Sequence, residues 1–289
     1  MTAAAPAAAV ERETAYAKLN LALHVRARRA DGYHELESLF AFADAGDAVT
    51  AEPAAGLSLT VAGPFAGALA GEATEDNLVL RAAQALRARF GVAAGAALRL
   101  DKRLPVAAGL GGGSADAAAA ARALARLWRL EADEAALIAA VGPLGADVPV
   151  CVASQTVIGR GIGDALTPRA GAEALSGTPL LLVNPGEPCP TGPVFRAWDG
   201  VDRGPLGDDP ALWRNDLEPG AQALVPVIAD VLAALRPLPG ATMVRMSGSG
   251  ATCFALFAAG REGRAARDAA ARTIRAGHPG WWTMAGALR

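Results

Sequence analysis

Apolar and polar residues alternate along residues 15–25 (AYAKLNLALHV), which predicts a β-strand with Lys18 and Asn20 on one face. A polar pair in an apolar strand marks either the outer face of an edge strand or a site. In RARRADGYHELESLF, residues 26–40, Asp31-Gly32 is a turn signal, and the chain resumes in extended form with Tyr33 and His34 at its start. Side by side, those rings offer a flat face and hydrogen bonds to a planar ligand. Taken alone, the segment reads more simply as a half-buried Tyr beside a solvated His. Residues 47–61 predict one or two further strands. Asn77 is the N-cap of a helix through about Phe90, with Leu78, Leu80, Ala82, Leu86 and Phe90 at loosely helical spacing.

Residues 96–104 (AALRLDKRL) alternate again and lead into LPVAAGLGGGSADAAAAA, residues 104–121. Gly109, Gly111, Gly112 and Gly113 are followed by Ser114, a good N-cap, and by an Ala-rich helical pattern reaching about Leu130, with Asp116 in its first turn. A second helix over residues 133–141 ends at Gly142-Pro143. In GADVPVCV (145–152), Asp147 reads as the N-cap of a short turn, with Pro149 tolerated behind it. From about Gly159 the chain is loop-rich, and a domain boundary falls near Thr167, giving 1–167, with 1–13 as a loose tail, and 168–289. Residues 180–186 (LLLVNPG) form a buried strand and turn. EPCPTGPVFRAW is Pro-rich, with Phe195 as its apolar ring. NDLE (215–218) opens helices through Leu235. A strand (241–245), a second Gly/Ser loop MSGSGAT (246–252), the strand CFALFA, a helix (264–276) and a last strand (281–288) complete a β-α-β-β-α-β-like unit.

Strand, glycine loop and helix start form an anion site, because glycines admit close approach, free N–H groups point outward and a helix N-terminus favours negative charge. A Walker A loop needs Gly-Lys, a dipeptide this chain lacks; a dinucleotide loop needs a third small residue, a place that falls on Ser114, and an acidic residue in a strand some 20 places on, which does not follow, so both common readings fail. The plain alternative is a glycine hinge that packs a helix on a sheet.

Composition narrows the classes. Hydrophobic residues make up 52% of the 289, many of them alanine, so close-packed helices are expected. A net charge of −2 argues against nucleic acid or a membrane surface as partner. Apolar runs are too short to span a bilayer, and the first residues lack a signal-peptide pattern. Cys151, Cys189 and Cys253 lack metal-ligand spacing, as expected of reduced structural thiols in the cytoplasm. Of 27 basic residues only Lys18 and Lys102 are lysines. An ammonium rather than a guanidinium at those two places is itself a signal. For Lys102 the default is a surface position.

PVAAGLGGGSADAA resembles the nucleotide loop of the GHMP small-molecule kinases. In order from about Ala15 to the end, AYAKLNLALHV, RADGYHELESLF, the glycine loop, GADVPV, NDLE and MSGSGAT resemble the branch of that family whose acceptor is a cytidine-diphosphate-linked sugar alcohol. The glycine loop alone identifies only the superfamily, whereas ADGYHELESLF with KLNL is more specific. The resemblance implies an α+β GHMP kinase fold, with an N-terminal domain like ribosomal protein S5 domain 2 and a C-terminal ferredoxin-like domain. It implies ATP-dependent phosphorylation of the acceptor's tertiary hydroxyl, in non-mevalonate isoprenoid synthesis. Lys18 and Asp147 match the catalytic lysine and aspartate, so Asp147 becomes a site residue instead of a mere cap. Pro105, Val106, Ala107, Ala108, Gly109, Leu110, Gly111, Gly112, Gly113, Ser114, Ala115 and Asn77 match ATP-binding positions. Asn20, Tyr33, His34, Thr191 and Phe195 match the cytidine and acceptor site, with Tyr33 and Phe195 sandwiching cytosine. Mg2+ is expected with ATP as co-substrate, its protein ligands unassigned, and no tightly bound metal or prosthetic group. Small-molecule partners, no nucleic acid, no membrane, and a monomer or weak homodimer in the cytoplasm complete the expectation. Ala115 departs from the usual second serine; if that hydroxyl holds phosphate or magnesium in relatives, backbone N–H groups or Asp116 must serve here. The rival readings are a GHMP kinase for homoserine, mevalonate or a sugar, and a non-catalytic nucleotide-binding protein of the same fold.

Overall fold

The alternating stretch at the start of the chain and the extended segment after the turn become strands β1 (Glu11–Arg28) and β2 (His34–Ala54), which pair with each other, and β2 runs on through residues 47–54, expected as part of a separate strand. Gly32, at φ +87°, supplies the left-handed residue of the turn between them. The structure, a computed structural model, describes residues 10–71 and 73–289. These residues gather into two compact units, and β1 and β2 each contribute to both. One unit takes the chain up to Ala15 with Gly46–Arg103 and Gly113–Ala153; the other takes Tyr16–Ala45, Leu104–Gly112 and Ser154–Arg289.

In the first unit β4 (Gly95–Asp101) lies between β3 (Leu57–Ala62), to which it is parallel, and the second half of β2, to which it is antiparallel. Ala96, Leu98 and Leu100 point into the core while Arg99 is exposed, the period-two pattern of a half-buried strand. Helix α1 (Leu78–Phe90) starts where the Asn77 side chain accepts the Val79 N–H at 3.0 Å, and ends at left-handed Gly91. Helix α2 (Gly112–Leu127) is buried continuously from Ala115 to Ala121, a run of alanines broken only by Asp116. It begins two residues before the expected cap, so Ser114 is its third residue and Asp116 lies beyond the first turn. Helix α3 (Glu134–Val141), capped by Asp133, packs on α1 and on α4 (Val148–Ala153).

The expected tail is also shorter. Glu11, Arg12 and Glu13 belong to β1, because α2 holds them: Arg126 pairs with Glu11 at 2.8 Å, and Arg122 pairs with Glu13 at 2.9 Å and donates to Thr14 O at 3.0 Å. Residues 1–9 of that tail lie outside the described residues.

In the second unit the first half of β2 pairs with β5 (Val157–Arg160), which pairs with β6 (Ala165–Pro168). A separate antiparallel sheet runs in the order β10-β7-β9-β8, from β7 (Pro179–Asn184), β8 (Ala241–Met246), β9 (Cys253–Phe257) and β10 (Trp282–Ala287). Between β7 and β8 come α5 (Thr191–Arg196), α6 (Glu218–Leu224) and α7 (Val227–Leu235); α8 (Arg261–Gly277) joins β9 to β10. This order and helix placement are ferredoxin-like. Alternation buries both faces of the sheet. Leu181, Val183, Ala255 and Phe257 join Ile228, Leu232 and Ile274 of α7 and α8. Leu180, Leu182, Phe254 and Leu256 instead meet Ala17, Leu19 and Leu21 of β1 together with Leu104, Ala108 and Leu110. Truncating one such leucine to alanine costs about 2–5 kcal/mol.

Candidate active site

Because Ala17, Leu19 and Leu21 enter that core, the alternation of β1 turns Lys18 and Asn20 to its other side, where both are still buried. The Lys18 ammonium donates to Asn20 Oδ1 at 3.1 Å and lies 5.2 Å from the centroid of the Phe40 ring. The Asn20 amide donates to Ser38 Oγ at 2.7 Å, and Ser38 passes the bond on to Ala22 O at 2.8 Å. The orientation of Asn20 is thereby fixed, with its carbonyl left for the lysine. Ser38 carried no signal in the sequence.

The glycine segment runs beside this pair. The Lys18 N–H donates to Leu110 O at 2.9 Å, and on the other side Thr252 N–H donates to Ala108 O at 3.2 Å. Ala107, Gly109 and Gly111 all have positive φ, at 52°, 73° and 61°. Such left-handed residues at alternate places make the concavities of backbone N–H groups that take anions. Ser247 Oγ donates to Gly109 O at 2.9 Å and accepts the Asn20 N–H at 3.3 Å, so the MSGSGAT loop is bonded to both the glycine segment and the polar face of β1. The NDLE motif explains itself here. Asn215 donates to Met246 O at 2.9 Å and to Gly248 O at 2.8 Å, while Asp216 accepts the Val25 N–H at 2.9 Å. Arg245, which drew no attention in the sequence, donates to Leu21 O and Trp213 O, and burial lowers its pKa.

His34 and Tyr33 reverse their expected exposures when taken alone: His34 is 5% exposed and Tyr33 57%. The cause lies far along the chain. The His34 ring sits 5.1 Å from Phe195 on α5, tilted, and 5.7 Å from Trp198, edge-on, and the three rings shield one another. Arg28 Nε donates to His34 Nε2 at 3.4 Å, and burial together with the Arg28 charge lowers the pKa of the imidazole. Nε2 is thus the acceptor nitrogen, and the proton of the neutral ring is on Nδ1. Thr191, at the start of the same helix, shares a hydrogen bond with Ser249 at 3.1 Å, and Cys189 Sγ donates to Ser249 O at 3.0 Å. Trp198 and Arg28 are additions that the sequence did not single out.

Within the first unit, Asp147 is half-buried at the head of α4, its carbonyl accepting the Cys151 N–H at 3.1 Å. Arg122 of α2 donates to the carbonyls of Cys151 and Val152 at 2.9 and 3.2 Å and so ties down the far end of that short helix. A Cβ on Gly145 would stand 3.8 Å from Ser114 Oγ, and one on Gly113 would stand 3.4 Å from Leu78. The turn before Asp147, the start of α2 and the start of α1 beside Asn77 are therefore neighbours.

Lys102 is the clearest correction. It is 2% exposed, with its ammonium 2.6 Å from Asp47 Oδ2 and 2.7 Å from Asp116 Oδ2. Burial opposes its charge, but the two carboxylates raise its pKa. Burial, with Asp47 adding to it against the pull of Lys102, pushes Asp116 up to about 7. Asp116 is thus committed to Lys102.

Comparison with known proteins agrees with the glycine segment and the two-part fold. Residues 77–155 match the family model described as GHMP kinases N terminal domain, and residues 208–277 match GHMP kinases C terminal. The chain belongs to the GHMP kinases. Within that family it groups with the 4-diphosphocytidyl-2-C-methyl-D-erythritol kinases. The protein of that name from Rhizorhabdus wittichii is 58% identical over 96% of this chain and 94% of its own length, and that from Rhodospirillum rubrum is 47% identical over 100% and 96%. A crystal structure of 4-(cytidine 5'-diphospho)-2C-methyl-D-erythritol kinase superposes with a TM-score of 0.79 at 37% identity, covering 96% of this chain and 98% of the other. Homoserine kinase from Cytophaga hutchinsonii, at 18% identity and a TM-score of 0.68 over 100% of this chain and 98% of its own, shares the fold. Among the described residues no helix is long and apolar enough to cross a membrane.

Proposed function

We infer that the chain transfers the γ-phosphoryl group of Mg-ATP to the 2-hydroxyl of 4-diphosphocytidyl-2-C-methyl-D-erythritol, in the cytoplasm, as a step of non-mevalonate isoprenoid synthesis. One observation carries this reading. Of the residues that mark the acceptor branch, Lys18 and Asn20 stand on β1, the strand bonded to the glycine segment and to the MSGSGAT loop, and His34, directly after Tyr33, opens β2, the strand paired with it, in a chain 58% identical to a kinase of that name.

Phosphoryl transfer asks mainly for positioning and charge stabilisation. The backbone N–H groups of residues 105–115 hold the triphosphate, and Mg2+ travels with it. Asp147 accepts or orients the proton of the tertiary hydroxyl, while Lys18, its direction set by Asn20, offsets charge developing on the transferred group. Cytosine lies against the exposed Tyr33 ring and Phe195, and the Nδ1 proton of His34 reads its edge. Replacing Asp147 with Asn should lower kcat by about 10²- to 10⁴-fold, with KM for both substrates within about threefold. Near-normal turnover in that variant removes Asp147 from the chemistry.

A further inference from the structure

The buried Asp47–Lys102–Asp116 cluster brackets the glycine segment. Lys102 follows the last residue of β4, Asp116 is on the opening turns of α2, and between them the chain makes its excursion through Leu104–Gly112. Asp47 of β2 completes the arrangement, because its second oxygen accepts the Arg103 N–H at 2.5 Å. One ammonium thus joins the two stems of the segment, and one carboxylate anchors the first stem to the sheet. Closing a loop at its base removes conformations that its tip would otherwise explore.

The arrangement is a costly way to build a core. Two carboxylates and one ammonium, all at most 4% exposed, leave one excess negative charge if both acids ionise. Asp116 Oδ1 is also buried without a hydrogen-bond partner. An apolar trio of similar size would hold the fold as well or better. A role beyond stability accounts for the expense.

We propose that Asp47, Lys102 and Asp116 form a strut of positioning residues that fixes the stems of the glycine segment and thereby sets the affinity for the ATP phosphates. The charged groups that face Asp116 are Lys102 and Asp47, both part of the strut. The strut is strongest with Asp116 ionised, when both contacts to Lys102 are charge-assisted. Folding favours the opposite state. The raised pKa means that the folded chain holds this proton more tightly than the unfolded one, so the contribution of Asp116 to stability falls as pH rises from about 4 to about 7 and is level above. Binding and stability should therefore move in opposite directions, which a purely structural cluster would not do.

The inference rests on the ATP reading above, so its test measures binding of the non-hydrolysable analogue AMP-PNP with Mg2+ by calorimetry, beside melting, at pH 6 and pH 8. Asp116→Asn resembles the protonated form. It should bind the analogue within about twofold of wild type at pH 6 and about tenfold more weakly at pH 8. Its melting temperature relative to wild type should meanwhile rise between pH 6 and pH 8. A combined Asp47→Asn, Lys102→Met, Asp116→Leu protein, in which residue 47 can still accept the Arg103 N–H, serves where single variants fold poorly; it should melt near wild type yet bind the analogue at least about tenfold more weakly at pH 8. Wild-type-like binding at pH 8 in either folded variant overturns the strut and leaves the kinase reading standing. Absence of nucleotide binding by wild type overturns the kinase reading, and the strut with it.

Discussion

Replacing Gly109 with alanine tests how tightly the glycine segment is held. At φ +73° an alanine pays about 1–2 kcal/mol for the left-handed conformation alone. Its Cβ would also stand 2.3 Å from Ser247 O, 2.8 Å from Gly250 O and 2.9 Å from Gly250 N. Those atoms are backbone, in a turn that Asn215 holds by two hydrogen bonds, so they yield only by displacing the loop. Overpacking of that kind costs a further 1–3 kcal/mol or so, for a total of about 2–5 kcal/mol. Gly32 is the control, since at φ +87° a Cβ added there would meet nothing within 4 Å, and the variant should lose only the conformational part. At about 2 °C or more per kcal/mol, Gly109→Ala should melt roughly 4–15 °C below wild type by scanning calorimetry, and Gly32→Ala only a few degrees below. Nucleotide affinity should fall with Gly109→Ala and hold with Gly32→Ala. If Gly109→Ala melts no lower than Gly32→Ala, the close approach of the two loops is not real.

Tyr33→Ala should weaken CDP binding by about 1–3 kcal/mol, the worth of a base stacked on a ring, and unchanged CDP affinity would remove the stacking. Asn215→Ala removes both carbonyl contacts to the MSGSGAT loop and should cost about 1–3 kcal/mol by denaturant melting, with KM for ATP rising as Ser247 loosens; a neutral substitution would refute the clamp. His24 is buried, and burial, then the Arg214 charge, lowers its pKa. The unfolded chain therefore takes up the His24 proton first as pH falls below about 6.5, and stability is lost on the acid side. The melting difference between wild type and His24→Gln should shrink between pH 7.5 and 5.5; a constant difference would show that His24 is not responsible.

Local pattern made most of the secondary structure legible. Alternation set β1 and β4, the apolar run at residues 180–183 set β7, Asn77 announced α1, and the β-α-β-β-α-β order of the last third was legible from its succession of strands and helices. Misreadings arose where a distant partner decides. Ser114 looks like a cap, yet α2 begins at Gly112. Glu11 and Glu13 look like tail residues until Arg122 and Arg126 claim them. Lys102 looks solvated because nothing near it in sequence shows that Asp47 and Asp116 converge on it. His34 is buried by Phe195 and Trp198, which belong to another stretch altogether. Lys18 with Asn20 was legible because their partnership is local to one strand face, whereas Ser38, Ser247 and Asn215, which hold that face against the glycine segment, are ordinary polar residues until the fold assembles them.

The most direct measurement follows ADP release with Mg-ATP and 4-diphosphocytidyl-2-C-methyl-D-erythritol, homoserine or mevalonate in parallel, and locates the new phosphate by its phosphorus–carbon coupling in NMR. ADP should appear in step with a phosphate on the 2-oxygen of the cytidyl substrate, and the other two alcohols should be inert. Turnover of homoserine or mevalonate without the cytidyl substrate, or phosphate on a different oxygen, contradicts the account.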